Sequence, residues 1–289
     1  MSPSPERLAR EALAEGRTAE TRDGRRLAYA AFGDPDGAPV FVFHGFPNSG
    51  PFAAAYHDLA CDLGLFLVSP SRPGLAGSDS QSGRTVVGWT RDVSDLADAL
   101  RIDEFGVCGV SAGGPYALAC AAELDRVHAA SVAVGLGPLD SVGVTSRIPF
   151  LLGRYAGPVA RLAIWARDRG QTPAERWEAF LDSLEPDDAT LLESEAGGAF
   201  RIGGAAARES GTRPLTGELA ALGRPWGFDL ADVGVPVRLR YGADDDIVPL
   251  EMGEALAARL PSVDFTVIAD GSHFSVPIER ARELFEPLA

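Results

Sequence analysis

A serine, a run of carboxylates and a histidine, each close to glycine, follow one another along this chain of 289 residues. Together they are the groups needed to turn a hydroxyl into a nucleophile. The serine is Ser111 in "GVSAGG", residues 109–114; the carboxylates are Asp244, Asp245 and Asp246 in "YGADDDIVP", residues 241–249; the histidine is His273 in "DGSHFS", residues 270–275. A serine hydroxyl is weakly nucleophilic at neutral pH, so it needs a base within hydrogen-bonding reach. That base in turn needs a carboxylate to fix its tautomer and stabilise the imidazolium. Gly109 and Gly113 stand two positions either side of Ser111, as in a turn too tight for side chains there, whose strained central residue is lifted clear of the sheet.

The elements around these residues must bring them together. Ahead of Ser111, "FGVCGV" reads as a buried strand, and after it "GGPYALACAAEL", rich in alanine and leucine, reads as a helix. Ser111 therefore lies on a strand-to-helix turn. The same alternation continues through the strands "VFVFHG", "LFLVSP", "VHAASVAVGLG", "VPVRLRYG" and "VDFTVIAD", with "AAAYHDLACDLG", "TVVGWTRDVSDLADALRI" and "LEMGEALAARL" among the helices. This predicts an α/β fold, a mostly parallel central sheet flanked by helices. The leading segment to about Glu20 is expected to be a short helix, and "RRLAYAAFG" is expected to form a hairpin with "VFVFHG" across "DPDGAP". Residues 141–222 offer only helical stretches broken by glycine and proline, so the chain divides into a core of residues 1–140 and 223–289 and an inserted helical cap of residues 141–222. The reactive segments, and a fourth, "HGFP" at residues 44–47, follow predicted strands, where an open parallel sheet gathers its ligands.

In this order the four motifs resemble the α/β-hydrolase fold superfamily over nearly the whole chain. The resemblance rests on the G-x-S-x-G at Gly109, Ser111 and Gly113, on His44-Gly45 followed by Phe46-Pro47, on the G-x-x-D-x-x-V-P from Gly242 to Pro249, and on the GSHF that contains His273. It implies that Ser111 is the nucleophile and His273 the general base, with the backbone N–H groups of Phe46 and Ala112 as oxyanion hole. The spacing from Gly242 selects Asp245 as the acid, and Asp140, after an earlier strand, is the reserve position. His44 is implied to shape its loop, while His57 and His128 read as packing or surface residues. The insertion is implied to cover Ser111 as a lid, with Phe150, Leu151, Trp165, Trp177, Phe180 and Phe200 as its apolar candidates. One loop departs from the family pattern: "SRPGLAGSD" has Ser71 where an aspartate is common and Ala76 where a glycine is common.

The activity implied is that of a serine hydrolase cleaving a small or medium apolar carboxylic ester, or a lactone, through an acyl-enzyme, with no cofactor and no metal. Haloalkane dehalogenases and epoxide hydrolases of this fold carry aspartate at the nucleophile position, so Ser111 counts against both. A ligand-binding or signalling protein on the same fold is the alternative from another class, and a non-acylating lyase or cyclase or a carbon–carbon bond hydrolase is a third.

Composition bounds these readings. With 46% hydrophobic residues the chain can bury a large core, and its formal net charge of −15 repels phosphate backbones and anionic membrane surfaces. Neither nucleic acid nor a membrane is expected as partner. The N-terminal residues carry charge throughout without an apolar run, so a cytoplasmic protein is expected. Cys61, Cys108 and Cys120 form no C-x-x-C pair and are expected to be small buried hydrophobes.

Overall fold

The computed structural model describes residues 3–289. Eight of its short β-branched and aromatic runs become strands: β1 (Thr18–Glu20), β2 (Arg26–Gly33), β3 (Ala38–Phe43), β4 (Leu65–Pro70), β5 (Phe105–Val110), β6 (Val127–Ala133), β7 (Val237–Gly242) and β8 (Val263–Ile268). They form one sheet in the order β1-β2-β4-β3-β5-β6-β7-β8. β2 is antiparallel to both its neighbours, and every other pairing is parallel. All six residues of β5 are buried, the pattern of a strand covered on both faces rather than one.

Helices cover those faces. In chain order they are α1 (Pro5–Glu15), α2 (His57–Leu63), α3 (Trp89–Leu100), α4 (Gly114–Glu123), α5 (Val144–Tyr155), α6 (Gly157–Asp168), α7 (Pro173–Leu181), α8 (Pro186–Glu193), α9 (Glu195–Glu209), α10 (Thr212–Leu222), α11 (Leu250–Ala257), α12 (Ser275–Glu279) and α13 (Ala281–Phe285). Successive strand side chains point to opposite faces. Phe41 and Phe43 of β3 thus pack with Trp89, Tyr116 and Leu256 of α3, α4 and α11, whereas Val40 and Val42 pack with Ala60 and Phe285 of α2 and α13. Among the described residues no helix is long and apolar enough to cross a membrane.

Three expectations need correction. The leading helix stops at Glu15, capped by Gly16 in the left-handed region, and Thr18–Glu20 is a strand paired with β2. β2 and β3 do not form a hairpin. β3 is buried and takes parallel partners on both sides, β4 and β5, so β4 enters between β2 and β3 and pairs with each. The turn residues seal that arrangement: Asp34 N–H donates to Leu65 O at 2.8 Å and Ala38 N–H to Gly64 O at 2.8 Å. Cys108 and Cys120 are buried, but Cys61 is exposed on the outer side of α2, because the inner side of that helix is taken by Ala60.

The six helices α5 to α10 all lie between β6 and β7. Their anchor on the core is α9, whose glycines permit close approach. A Cβ on Gly203 would fall 2.2 Å from Asn48 Oδ1 and 3.1 Å from the Phe52 nitrogen, so α9 lies directly on the 3-10 segment Gly50–Tyr56. Ser49 Oγ donates to Gly203 O at 2.8 Å and Asn48 Nδ2 to Phe200 O at 3.2 Å. Phe200 inserts beside Phe52, with ring centroids 5.6 Å apart. On the neighbouring Gly204 a Cβ would meet nothing closer than 3.4 Å.

These adjacent glycines predict opposite outcomes. Gly203→Ala should lower the free energy of unfolding by about 1–3 kcal/mol, as overpacking does. Gly204→Ala should leave it unchanged or raise it by up to about 1 kcal/mol, the helix-propensity gain of alanine over glycine. Urea unfolding of the two variants beside the parent chain checks the sign, and equal destabilisation would contradict the close approach of α9.

Candidate active site

The chain leaves β5 through a turn that places Ser111 at φ +53°, a conformation that a residue with a side chain adopts at a cost. Its neighbours leave no room for anything but hydrogen. A Cβ on Gly113 would fall 2.1 Å from the Phe43 carbonyl oxygen, and one on Gly109 would fall 2.6 Å from Gly113 O. Residues Ser111–Gly113 form a 3-10 turn that runs into α4, with Pro115 in the first helical turn, where its missing N–H costs nothing. The Ser111 carbonyl is held by the N–H of Leu136 at 3.1 Å. Gly45 passes so close that a Cβ on it would be 3.2 Å from Ser111 Cβ, bringing the loop with Phe46 alongside the serine.

His273 is buried in the loop after β8, and its Nδ1 lies 2.8 Å from Asp245 Oδ2. The other carboxylate oxygen accepts from the N–H groups of Ile247 at 2.8 Å and Val248 at 2.7 Å. A neutral imidazole donating from Nδ1 to this oriented carboxylate keeps Nε2 as an acceptor. The two loops are pressed together: Asp244 N–H donates to Gly271 O at 3.0 Å, and a Cβ on Gly242 would fall 2.0 Å from that same oxygen. Asp244 and Asp246 are exposed. Asp140, the reserve acid, is also exposed and pairs with Arg259 at 3.3 Å, while His273 Nδ1 is occupied by Asp245.

Ser111, His273 and Phe46 line one cavity. Ala112 is buried at the entry to α4. Of the six apolar candidates of the insertion, Trp177, Phe180 and Phe200 also line this cavity. Phe150 packs on the main core, Leu151 is half-buried on α5, and Trp165 is exposed beneath the Arg169 guanidinium.

Buried charges that sequence reasoning missed hold both loops from behind. Arg72, 1% exposed, donates from Nη1 to His44 O at 2.7 Å and from Nη2 to Gly45 O at 3.0 Å, fixing the carbonyls just before Phe46. His44 is buried too, with Nδ1 2.8 Å from Gly45 O and Nε2 accepting the Arg72 N–H at 3.3 Å. Burial, and then the charge of Arg72, hold its pKa well below the usual imidazole range, so it is neutral and supports the loop. Arg72 Nε is 2.7 Å from Glu218 Oε1 on α10, and Arg84 Nη2 is 2.9 Å from Glu218 Oε2. Behind the histidine, Asp188 of α8 accepts from Ser272 Oγ and, at 3.2 Å, from the Phe274 N–H, so one carboxylate brackets His273. Each acid had a signal. Glu218 falls three residues after Leu215 and four before Leu222, and Asp188 falls four before Leu192, on the apolar side of its helix.

In the loop that departs from the family pattern, Ser71 Oγ accepts the Gly50 N–H at 3.0 Å. Ala76 sits at φ +40°, so it takes the strained conformation that a glycine would adopt freely.

The model of the alpha/beta hydrolase family matches residues 40–286. A pimeloyl-[acyl-carrier protein] methyl ester esterase of Aromatoleum aromaticum is 28% identical over 227 residues, 73% of this chain and 81% of that protein. An uncharacterized hydrolase, YcgS, of Bacillus subtilis is 30% identical over 109 residues, and that match covers 37% of either chain. Among solved structures, an esterase from Exiguobacterium antarcticum superposes with a TM-score of 0.70 at 17% identity, covering 93% of this chain and 96% of that one. At that identity the likeness speaks for the fold.

The Arg72–Glu218–Arg84 cluster carries a prediction with a sign. Burial raises the pKa of Glu218, but Arg72 and Arg84 outweigh it and leave the group below its ordinary 4.5. A depressed carboxylate contributes stability that is present above its unfolded value and lost as pH falls through the folded one. Glu218→Gln, which strands two guanidinium groups, should cost about 3–5 kcal/mol at pH 7. The gap between the variant and the parent in urea unfolding should then narrow as pH falls below 4.5. A pH-independent gap would show that the charge of Glu218 is not what is lost.

Proposed function

Since the chain belongs to the alpha/beta hydrolase family, we propose that it is a serine hydrolase acting on a carboxylic ester or lactone through an acyl-enzyme. The observation that carries this reading is the hydrogen bond between His273 and Asp245, 2.8 Å long, at the wall of the cavity that also holds Ser111. Ser111 Oγ attacks the carbonyl carbon while His273 Nε2 takes its proton. The carbonyl oxygen becomes an oxyanion facing the N–H groups of Phe46 and Ala112, whose stabilisation is worth several kcal/mol in such sites. Collapse of the intermediate breaks the carbon–oxygen bond of the leaving alcohol, which takes the proton back from His273. Water then attacks the acyl carbon, again giving its proton to His273, and the acid departs as that proton returns to Ser111.

The insertion serves in this reading as the cap that shapes the acyl pocket. Trp177, Phe180 and Phe200 supply apolar surface beside the reacting groups, and Phe274 bridges Phe180 and Phe200 to the base, its ring 5.1 Å from that of His273. Such walls favour a hydrocarbon acyl chain over a strongly hydrated one. The names of the similar proteins support an ester as the bond cleaved: one is a methyl ester esterase and another an esterase.

A fluorophosphonate should attach to the folded protein at Ser111 and fail to attach to Ser111→Ala. An intact mass without adduct would refute the acyl-enzyme. On p-nitrophenyl esters of rising chain length, Asp245→Asn should lose about three to four orders of magnitude in kcat, because an amide stabilises the wrong tautomer of the base. Asp244→Asn and Asp246→Asn, both at exposed positions, should stay within about tenfold.

A further inference from the structure

The cavity that holds Ser111 and His273 is not wholly apolar, because three guanidinium groups of the insertion stand in its wall: Arg176 on α7, and Arg201 and Arg208 on α9. They differ in how they are partnered. Arg201 is paired 2.7 Å from Glu6 of α1. Arg208 reaches one carboxylate, Asp168, at 3.5 Å, and lies near enough to Arg167 and Arg176 to feel their charge. Arg176 donates from Nη2 to Gln171 O at 3.0 Å, while its Nε is buried with no acceptor. Glu209, which is exposed, is the acidic side chain among the lining residues.

A buried guanidinium N–H without an acceptor is costly to leave so. In a chain of net charge −15, the clustering of arginines at the reactive cavity runs against the overall field. Glu6, shared with Arg10, lies against Arg201, and Asp168 lies against Arg208, whereas Arg176 has no carboxylate partner among the described residues. With Glu209 in the same wall the acids match the three lining arginines in number, so the wall offers a guanidinium without an acidic partner rather than a large positive field, which suits a monoanion better than a dianionic phosphate. Between the arginines and the serine the lining is apolar, through Trp177, Phe180 and Phe200.

We infer that the substrate is a half-ester of a dicarboxylic acid: its ester carbonyl meets Ser111, its hydrocarbon chain lies along the aromatic side chains, and its free carboxylate is held by Arg176 and Arg208. The inference rests on the ester-hydrolase reading above and adds to it the chemical class of the acyl group. The guanidinium groups act in binding, on a part of the substrate that does not react, so their loss is read in KM and in selectivity.

The test compares monomethyl esters of the dicarboxylic acids from succinate to suberate with methyl esters of the monocarboxylic acids of equal length, following acid release. For at least one length the half-ester should be preferred in kcat/KM by about tenfold or more, as one charge-assisted contact provides. Arg176→Gln and Arg208→Gln should each bring that ratio towards one, mainly through KM. No preference at any length, or a preference that survives both substitutions, would overturn the inference. Calorimetric titration with the free dicarboxylates reads the subsite without turnover, in the unaltered protein and in the two variants once their circular dichroism matches it. Saturable binding that Arg176→Gln or Arg208→Gln abolishes would uphold the subsite even if no ester were cleaved and Ser111 took no fluorophosphonate, in which case the hydrolase reading alone would fall. Absence of binding, or tighter binding of inorganic phosphate than of any dicarboxylate, would overturn the carboxylate assignment.

Discussion

Ser111 holds a left-handed backbone conformation at the end of the most enclosed strand of the sheet, and much of the surrounding structure answers to that one constraint. A residue with a side chain stays there at a cost of about 1–3 kcal/mol and only where its surroundings over-determine it. Here they do. β5 has β3 and β6 hydrogen-bonded along its two sides, Gly113 lies against the Phe43 carbonyl, and Leu136 fixes the serine's own carbonyl. The strands on either side of β5 therefore do more than fill the sheet: the segments that leave β3 and β6 are the ones that brace the turn.

The other candidate groups of the site are held by polar contacts, some of which reach across the chain. Asp245 is oriented by two N–H groups of its own turn, a local device. The loop before Phe46 and the loop around His273 are held by side chains from elsewhere, Arg72 in the first case and Asp188 in the second. Since Glu218 neutralises Arg72 from α10, acids of the helical insertion stand behind both loops. A buried ion pair of this kind adds little net stability compared with apolar packing of equal volume. What it supplies is geometry: loss of either partner leaves a charge with nowhere to go, so the arrangement is held to one register.

What could be read from the sequence follows how local each cause is. Gly109 reports a contact within its own turn, and the spacing that singled out Asp245 reflects an oxygen that caps residues two and three positions later; Gly113 and Gly242 stood out as glycines, but the segments they lie against, at Phe43 and Gly271, were not written beside them. The strand and helix alternation was equally readable, because a buried parallel strand and an alanine-rich helix differ in composition as well as period. The partner of β2 was not, since β4 enters from beyond a helical crossover and neither run carries a mark of that pairing. Which of the insertion's aromatic residues face the cavity depends on where each helix docks, so Trp177 and Trp165 look alike in sequence and differ in the fold. Glu218 and Asp188 were visible as acids on apolar helix faces, but their partners stand 146 and 84 positions away in the chain, too far for any pattern to join them.

The ion pair between Arg72 and Glu218 crosses the border between the sheet domain and residues 144–222, and this limits how far that stretch is a portable module. A chimera that took these helices from a relative without an acid at position 218 would bury the guanidinium groups of Arg72 and Arg84 without the carboxylate they share. The damage would appear in the loop before Phe46, at a distance from every junction. Recombination, whether natural or in the laboratory, must therefore move Arg72, Arg84 and Glu218 as a unit, or exchange all three for apolar side chains of matching volume.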